Sequence, residues 1–561
     1  AQPLGLHFPA SVQARGPMVA VTVLGLAGDV VLGPLDLPER TLVAELEASV
    51  RERAAERFQK SRLRFLCGER CMREAEAIVD SASDGSLTLT LVAYKPSYAV
   101  VAWGRPGVGG DFKSVEDQLD CDVRTVFSNG SAFAAVKDGG AVVTWGDGPA
   151  GGNSRAAAEQ IAGGVVCVFA GHEAFAALKE SGAVVAWGSI RSGGAIGAAA
   201  ARQLTGGVRW VSASGAAFAA IKEEGAVVTW GNPDAGGDST AVADLISSGV
   251  GAVYANNEAF AAVKDQGAVV TWGNPEEGGD CTSAAAQLRE GVSQVFTNAW
   301  SFAALKTGGA IVAWGHAERG GDVGGAAAQL ARGVVAVCSS SMAFCARKEQ
   351  GGLVTWGNPA YGADLSAVSD QVAAGVKKVY ATGGAFAALK LGGAVVTWGD
   401  ARRGGDSSTV AELVSGEVVS IRSNNEAFAA LKSGGAVVTW GNPLRGADSS
   451  SVAGQLASGV RSVFCNGSAF AALKASGSVV TWGAARCGGD SSAVAEQLAG
   501  GVEAMAASAG AFAALVEVHK MPRRRRKPPE DTKILPLLKA AGLRSEAEAL
   551  LSDLLAAEGH S

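Results

Sequence analysis

Short apolar runs alternate with glycine-rich polar breaks over most of this chain, and one stretch serves for all. Val460–Phe464 (VRSVF) and Ala469–Lys474 (AFAALK) flank Cys-Asn-Gly-Ser, a tight-hairpin signal, and Ser478–Trp482 (SVVTW) follows across Ala475-Ser476-Gly477. The pattern predicts three antiparallel strands. Gly488-Gly489-Asp490-Ser491-Ser492 then leads into AVAEQLAG, where Asp or Ser before an apolar-periodic run reads as a helix N-cap. Each unit is therefore expected to hold three strands and about two turns of helix.

This unit repeats. Trp-Gly recurs with Trp at 103, 145, 187, 230, 272, 314, 356, 398, 440 and 482, spaced 42 residues apart except for one interval of 43. An Ala-Phe-Ala-Ala-Leu-Lys motif places Phe at 133, 175, 218, 260, 302, 344, 386, 428, 470 and 512. A three-stranded unit with an apolar face cannot bury itself, so neighbours must stack. The array opens on a lone Trp-Gly strand, Tyr98–Trp103, and closes on two strands that lack one, Val502–Met505 and Ala511–Val516. The first strand is thus free to complete the last unit and close a propeller-like ring, which would remove exposed sheet edges. Ten units exceed the usual size of such rings, so an open superhelical stack is the competing arrangement.

Residues 18–95 follow another pattern. Val19–Leu24 and Val30–Leu35 read as a hairpin, Thr41 caps a helix through Arg57, and Arg62–Cys67 and Ser86–Val92 read as strands. Met18–Leu26 alternates like a strand and lacks the basic lead-in of a signal peptide. Residues 1–17 read as a disordered lead, 519–532 as a basic, proline-rich linker and 533–561 as a helical segment. The linker holds Arg523, Arg524, Arg525, Arg526 and Lys527 between prolines, a candidate nuclear import element. Beyond it, Ser545-x-x-Glu548 forms a capping box ahead of a leucine stripe.

Composition narrows the functional classes. Among 561 residues, 77 are glycine, which fits many tight turns. No apolar run is long enough to span a membrane. The array, residues 96–518, carries 28 basic and 36 acidic side chains, which argues against direct binding of a DNA backbone. Nine dispersed cysteines and five histidines offer no metal-ligand or disulfide spacing, and read as free thiols of a reducing compartment. His172 and His316 read as surface residues of repeat loops, and Asn129-Gly-Ser131 and Asn466-Gly-Ser468 as turns. No phosphate-binding loop or catalytic constellation is present, so no cofactor and no enzymatic activity are expected.

Two repeated polar sets remain. Asp111, Asp238, Asp280, Asp322, Asp364, Asp406, Asp448 and Asp490 fill a Gly-Gly-Asp loop, with Asn153 and Ala195 in the other units; one carboxylate per unit suits helix capping better than calcium. Lys137, Lys179, Lys222, Lys264, Lys306, Lys348, Lys390, Lys432 and Lys474 each end the Phe strand. They should form a circle on one face, either solubilising or a candidate partner-binding ring.

Hydrophobic strand, Trp-Gly and Gly-rich loop, in register ten times over residues 96–518, resemble the regulator of chromosome condensation repeat. The usual Gly-Gln-Leu-Gly loop is here Gly-Gly-Asp, the unit is shorter, and a helix stands for the fourth strand. The resemblance implies a β-propeller that binds proteins, and in some members guanine-nucleotide exchange on a small GTPase or chromatin docking. In RLRFLCGER and DGSLTLTLV, residues 18–95 resemble the ubiquitin-like β-grasp fold, although no Gly-Gly follows the last strand. The expectation is a nuclear or cytoplasmic protein-binding scaffold, linked through this module to the ubiquitin pathway; guanine-nucleotide exchange is the alternative.

Overall fold

The computed structural model describes residues 96–518 and, ahead of them, 18–25, 30–38, 62–67, 70–71 and 86–94 with Leu46, Ala48 and Val50. The basic cluster and the C-terminal capping box lie outside the described residues. The N-terminal segment and the array are separate compact units.

In the first unit, β1 (Met18–Gly25), β2 (Val30–Pro38), β3 (Arg62–Cys67), β4 (Arg70–Cys71) and β5 (Ser86–Tyr94) form one sheet in the order β2-β1-β5-β3-β4. β1 pairs antiparallel with β2 and parallel with β5, while β3 pairs antiparallel with β5. Leu46 and Val50, one helical turn apart, are buried, as are Val21, Val23 and Leu89.

The array is ten three-stranded antiparallel sheets, one for each Phe motif. After β6 (Tyr98–Gly104), the first complete repeat holds β7 (Val123–Ser128), β8 (Ala132–Lys137) and β9 (Val142–Gly146). In every repeat the middle strand is buried on both faces, and the alternation of small and large residues explains how. Phe133 stands opposite Trp145 and the two rings stack with centroids 5.1 Å apart. The reverse face carries Ala132, Ala134 and Val136, and packs against Phe175, Ala177 and Trp187 of the next sheet. A flat alanine face thus receives each neighbour's aromatic pair, which lets successive sheets approach closely. Each Trp Nε1–H also donates back to a glycine carbonyl of the loop one unit earlier, as Trp145 does to Gly109 at 3.0 Å.

Two glycine positions are forced by this approach. Gly140, in the turn before β9, has φ +77°, and a Cβ there would lie 2.4 Å from the Val165 backbone nitrogen of the next sheet. Gly109 has φ +101°, and a Cβ would strike the Phe133 ring at 2.4 Å.

The ring closes. β6 pairs with Ala511–Glu517 over seven positions and supplies the third strand of the last sheet. The repeat register continues across the junction: Trp103 stacks on Phe512 at 5.4 Å and donates to Gly488 O at 3.0 Å. Ser508 Oγ donates to Val108 O at 2.8 Å, repeating the bond from Asn129 Nδ2 to Ala150 O. The last sheet packs against the ninth through one face and against the first complete repeat through the other. No single sheet closes; the circle is made by packing between sheets.

The first strand of each sheet lies innermost. Side chains on it bond the neighbouring first strand, Ser128 Oγ to Ala507 O at 2.6 Å and Ser212 Oγ to Val253 O at 2.8 Å. The turns that follow these strands meet around one central depression.

The expected helix after the Gly-Gly-Asp loop is mostly not α-helical. Three repeats form an α-helix, Ala198–Gln203, Ala327–Leu330 and Ala453–Leu456; elsewhere the segment is a 3-10 turn, as at Ser492–Val494. A helix this short gains few internal hydrogen bonds for the residues it fixes. Here tertiary bonds take over, because the Leu498 carbonyl accepts from Val479 N–H of the third strand at 3.0 Å.

Candidate interaction surface

The array presents two ends and a central axis, each built from different repeat positions. At the first end, a buried Asn, Ser or Thr opens the turn between the first and second strands in nine repeats, and Gly171 does so in the other. Asn256 Oδ1 accepts from Glu258 N and Ala259 N while its Nδ2 donates to Glu277 O, a local turn that also pins the adjoining loop. The two Asn-Gly-Ser sequences occupy this position, and Asn129 and Asn466 are buried with the same bonds, which identifies both as turns. Turns of nine repeats ring an open depression of about 820 Å³, lined by Asn, Ser, Thr and Gly and by His172, which is exposed as expected.

On this turn end the repeats cease to be alike. The residue before the Phe motif is Glu173, Glu258, Trp300, Met342 or Glu426 in five repeats and a small Ser, Ala or Gly in the other five, whereas the motif itself barely changes. These residues meet equally varied loop residues. Arg319 lies over the Trp300 ring at 3.9 Å, Arg403 over Tyr361 at 5.5 Å, and Arg445 pairs with Glu426 at 3.9 Å. Ile190 and Leu444 project from the same loops, 76% and 80% exposed. A second depression of about 900 Å³ between adjacent turns is lined by Glu173, Asp234 and Glu258.

Glu258 faces a second acid where other repeats place a cation. Glu277 is buried and its Oε2 has no hydrogen-bond partner. Burial first, and then the Glu258 carboxylate, push its carboxyl up to about 7, with Arg319 opposing and Glu276 adding. A carboxyl raised in the folded state above its ordinary value near 4.5 binds more protons folded than unfolded. Its contribution to stability is therefore present at low pH and is lost as pH rises towards about 7. Glu277→Gln should match the parent's melting temperature at pH 5 and exceed it at pH 8; equal melting temperatures at both values would refute this. His316 differs from expectation: it is only partly exposed, and its Nδ1 is shielded without a partner.

At the other end lie the lysines. Lys137, Lys179, Lys222, Lys306, Lys348, Lys390 and Lys474 each donate through Nζ to the carbonyl of a Gln 19 residues earlier, and Lys264 to Leu245 O. Lys432 pairs with Glu417 at 3.3 Å. These ammonium groups thus meet the C-terminal carbonyls of the helical turns, where positive charge is favoured. The Gly-Gly-Asp carboxylates cap their own loops: Asp238 Oδ1 accepts from Thr240 N–H at 2.9 Å and Asp490 Oδ1 from Ser492 N–H at 2.9 Å. Such bonds hold the Asp238 and Asp490 carboxyls below the usual range. Among the described residues, no group of three or more His, Cys, Asp or Glu is placed to hold a metal. Among the described residues of the array, all seven cysteines are free thiols, and burial pushes Cys338 and Cys465 up to about 11. No described helix is long and apolar enough to cross a membrane.

No family model and no curated protein sequence matches the chain. Similar solved structures include Saccharomyces cerevisiae Prp20p, reported with its binding to Gsp1p and histones: 11% identity, 78% of this chain, 95% of that chain, TM-score 0.33. Human WBSCR16 shows 15% identity over 75% of this chain and 99% of that chain, TM-score 0.31. The CRINKLY WD40 ectodomain of the Arabidopsis thaliana receptor kinase ACR4 shows 15% identity over 49% and 98%, TM-score 0.26. The architecture rests on the chain's own strand pairing: a propeller-like array of three-stranded sheets.

Proposed function

We propose that this protein is a non-enzymatic interaction scaffold whose partners dock on the turn end of the ring. One observation carries the reading: ten units nearly identical in their cores differ from one another at the turns and loops of that end. A framework that only had to close would tolerate the same residue in each unit. A surface that recognises a shaped partner needs different ones; Trp300, Tyr361 and Arg319 are of the types that anchor protein interfaces, and Leu444 adds exposed apolar area beside them. Affinity capture with the full chain should enrich specific proteins. Substituting Trp300 and Leu444 by Ser together should deplete them without changing the melting temperature by more than a few degrees; undiminished capture would refute this face.

The N-terminal sheet is read as the ubiquitin-like module, supported by the order β2-β1-β5-β3-β4 and by Leu46 and Val50 packed at helical spacing. A link to ubiquitin-pathway proteins follows from that reading. Guanine-nucleotide exchange rests on the repeat resemblance alone, and a scaffold leaves release rates across a small-GTPase panel unchanged. The Arg523–Lys527 cluster is the proposed import element of a nuclear or nucleocytoplasmic protein. Replacing Arg523–Arg526 by Ala in a fluorescent fusion should lower the nuclear fraction several-fold. An unchanged fraction would leave the cluster a linker.

A further inference from the structure

The innermost strands carry a charge opposite to the rest of the array. They hold Arg124, Arg209, Lys377, Lys378, Arg422 and Arg461 against a single acid, Glu503, and all six cations are exposed. Everywhere else the array carries 22 basic and 35 acidic side chains. The axis is also open. Trp210 on one of these strands is 53% exposed, and Val166, Val335 and Val419 are 39% to 48% exposed, which a packed centre would not permit. Arg124 and Arg209 brace the lining by donating to carbonyls of the next first strand, at 2.9 to 3.2 Å. Lys378 lies over the Tyr380 ring at 4.9 Å.

From this charge reversal along the axis we propose that the channel binds a short acidic polypeptide segment of a protein partner, in a site separate from the turn-end surface. Positive charge gathered on low-dielectric walls around an axis focuses the field inward, so an acidic segment is drawn in and its carboxylates find guanidinium and ammonium groups on several sides. A short segment suits the site better than a nucleic acid does. A phosphate backbone is uniformly charged along its length and would have to cross the acidic outer array, whereas a few Asp or Glu residues match the few cations and end where the positive charge ends. Apolar residues between those acids would meet Trp210 and the exposed valines. The proposal deepens the scaffold reading and rests on it.

The test is fluorescence anisotropy with the full chain and a labelled peptide of about eight residues alternating Glu and Gly, beside its Gln counterpart and a single-stranded oligonucleotide of similar charge. The acidic peptide should bind at least about tenfold more tightly than the Gln peptide, and more weakly as salt is raised. K377Q/K378Q should weaken it by about tenfold, while K113Q, outside the channel, should not. Equal binding of the Glu and Gln peptides would overturn the proposal, as would an unaffected K377Q/K378Q variant with parental melting. Tighter binding of the oligonucleotide would replace it with a nucleic-acid channel. The peptide comparison uses the unaltered chain, so a variant that fails to fold leaves the test intact. Lost peptide selectivity with partner capture preserved would sink only the channel proposal, not the scaffold.

Discussion

Deletion of Tyr98–Trp103 should abolish the single cooperative unfolding transition of the array and drive the protein into aggregates. The segment is the whole third strand of the last sheet apart from Gly104, and it pairs with Ala511–Glu517 along its length. Its loss uncovers an apolar edge of Phe512, Ala514 and Val516, each buried in the intact ring. An exposed apolar edge is a template for pairing with another chain. Trp103 alone is 4% exposed, and losing a buried Trp costs about 3–5 kcal/mol. Total stabilities of about 5–15 kcal/mol leave little margin for that and the lost strand pairing together. Circular dichroism melting and size-exclusion chromatography read the result directly. A deletion variant that elutes as the parent does and melts within a few degrees of it would show that the circle is not what stabilises the array.

How much of this was legible in the sequence differs between positions. The Phe and Trp sets predicted strands because alternation and a fixed 42-residue spacing are local signals, and the paired rings follow from adjacent antiparallel strands. The closing strand was also legible, since a lone Trp-Gly strand at one end matches a missing one at the other. The expected helix is mostly a 3-10 turn. Val494 and Leu498 sit at helical spacing and both are buried, but spacing does not reveal that the Leu498 carbonyl is taken by Val479 of another strand. The lysines were visible as a repeated charge; their acceptors were not, because the 19-residue reach depends on how the middle strand ends against the preceding turn. The axial cations are not legible in the sequence for a similar reason. Arg209 or Lys377 in isolation is an ordinary edge-strand charge, and only closure places six such residues around one axis.

Phe428→Ala should lower the stability of the array by about 3–5 kcal/mol, the range for truncating a buried Phe in a core that cannot collapse. The Phe428 ring is fully buried, stacks on Trp440 at 5.2 Å, and lies against the alanine face of the preceding sheet, Ala385 and Ala387. Gly404 closes the remaining side, where even an added Cβ would come within 2.6 Å of the ring. Alanine cannot fill this space, and two neighbouring sheets hold its walls apart. Phe218 sits in an equivalent pocket five repeats away, with Ala174 and Ala176 behind it and Trp230 stacked on it. The two sites share no core residue, so the double substitution should cost the sum of the single ones. In a closed ring both losses fall on one cooperative transition, and denaturant melts should shift further with each substitution while staying single. Two separated transitions in the Phe428→Ala melt would mean that repeats unfold independently, and would count against closure as the source of cooperativity.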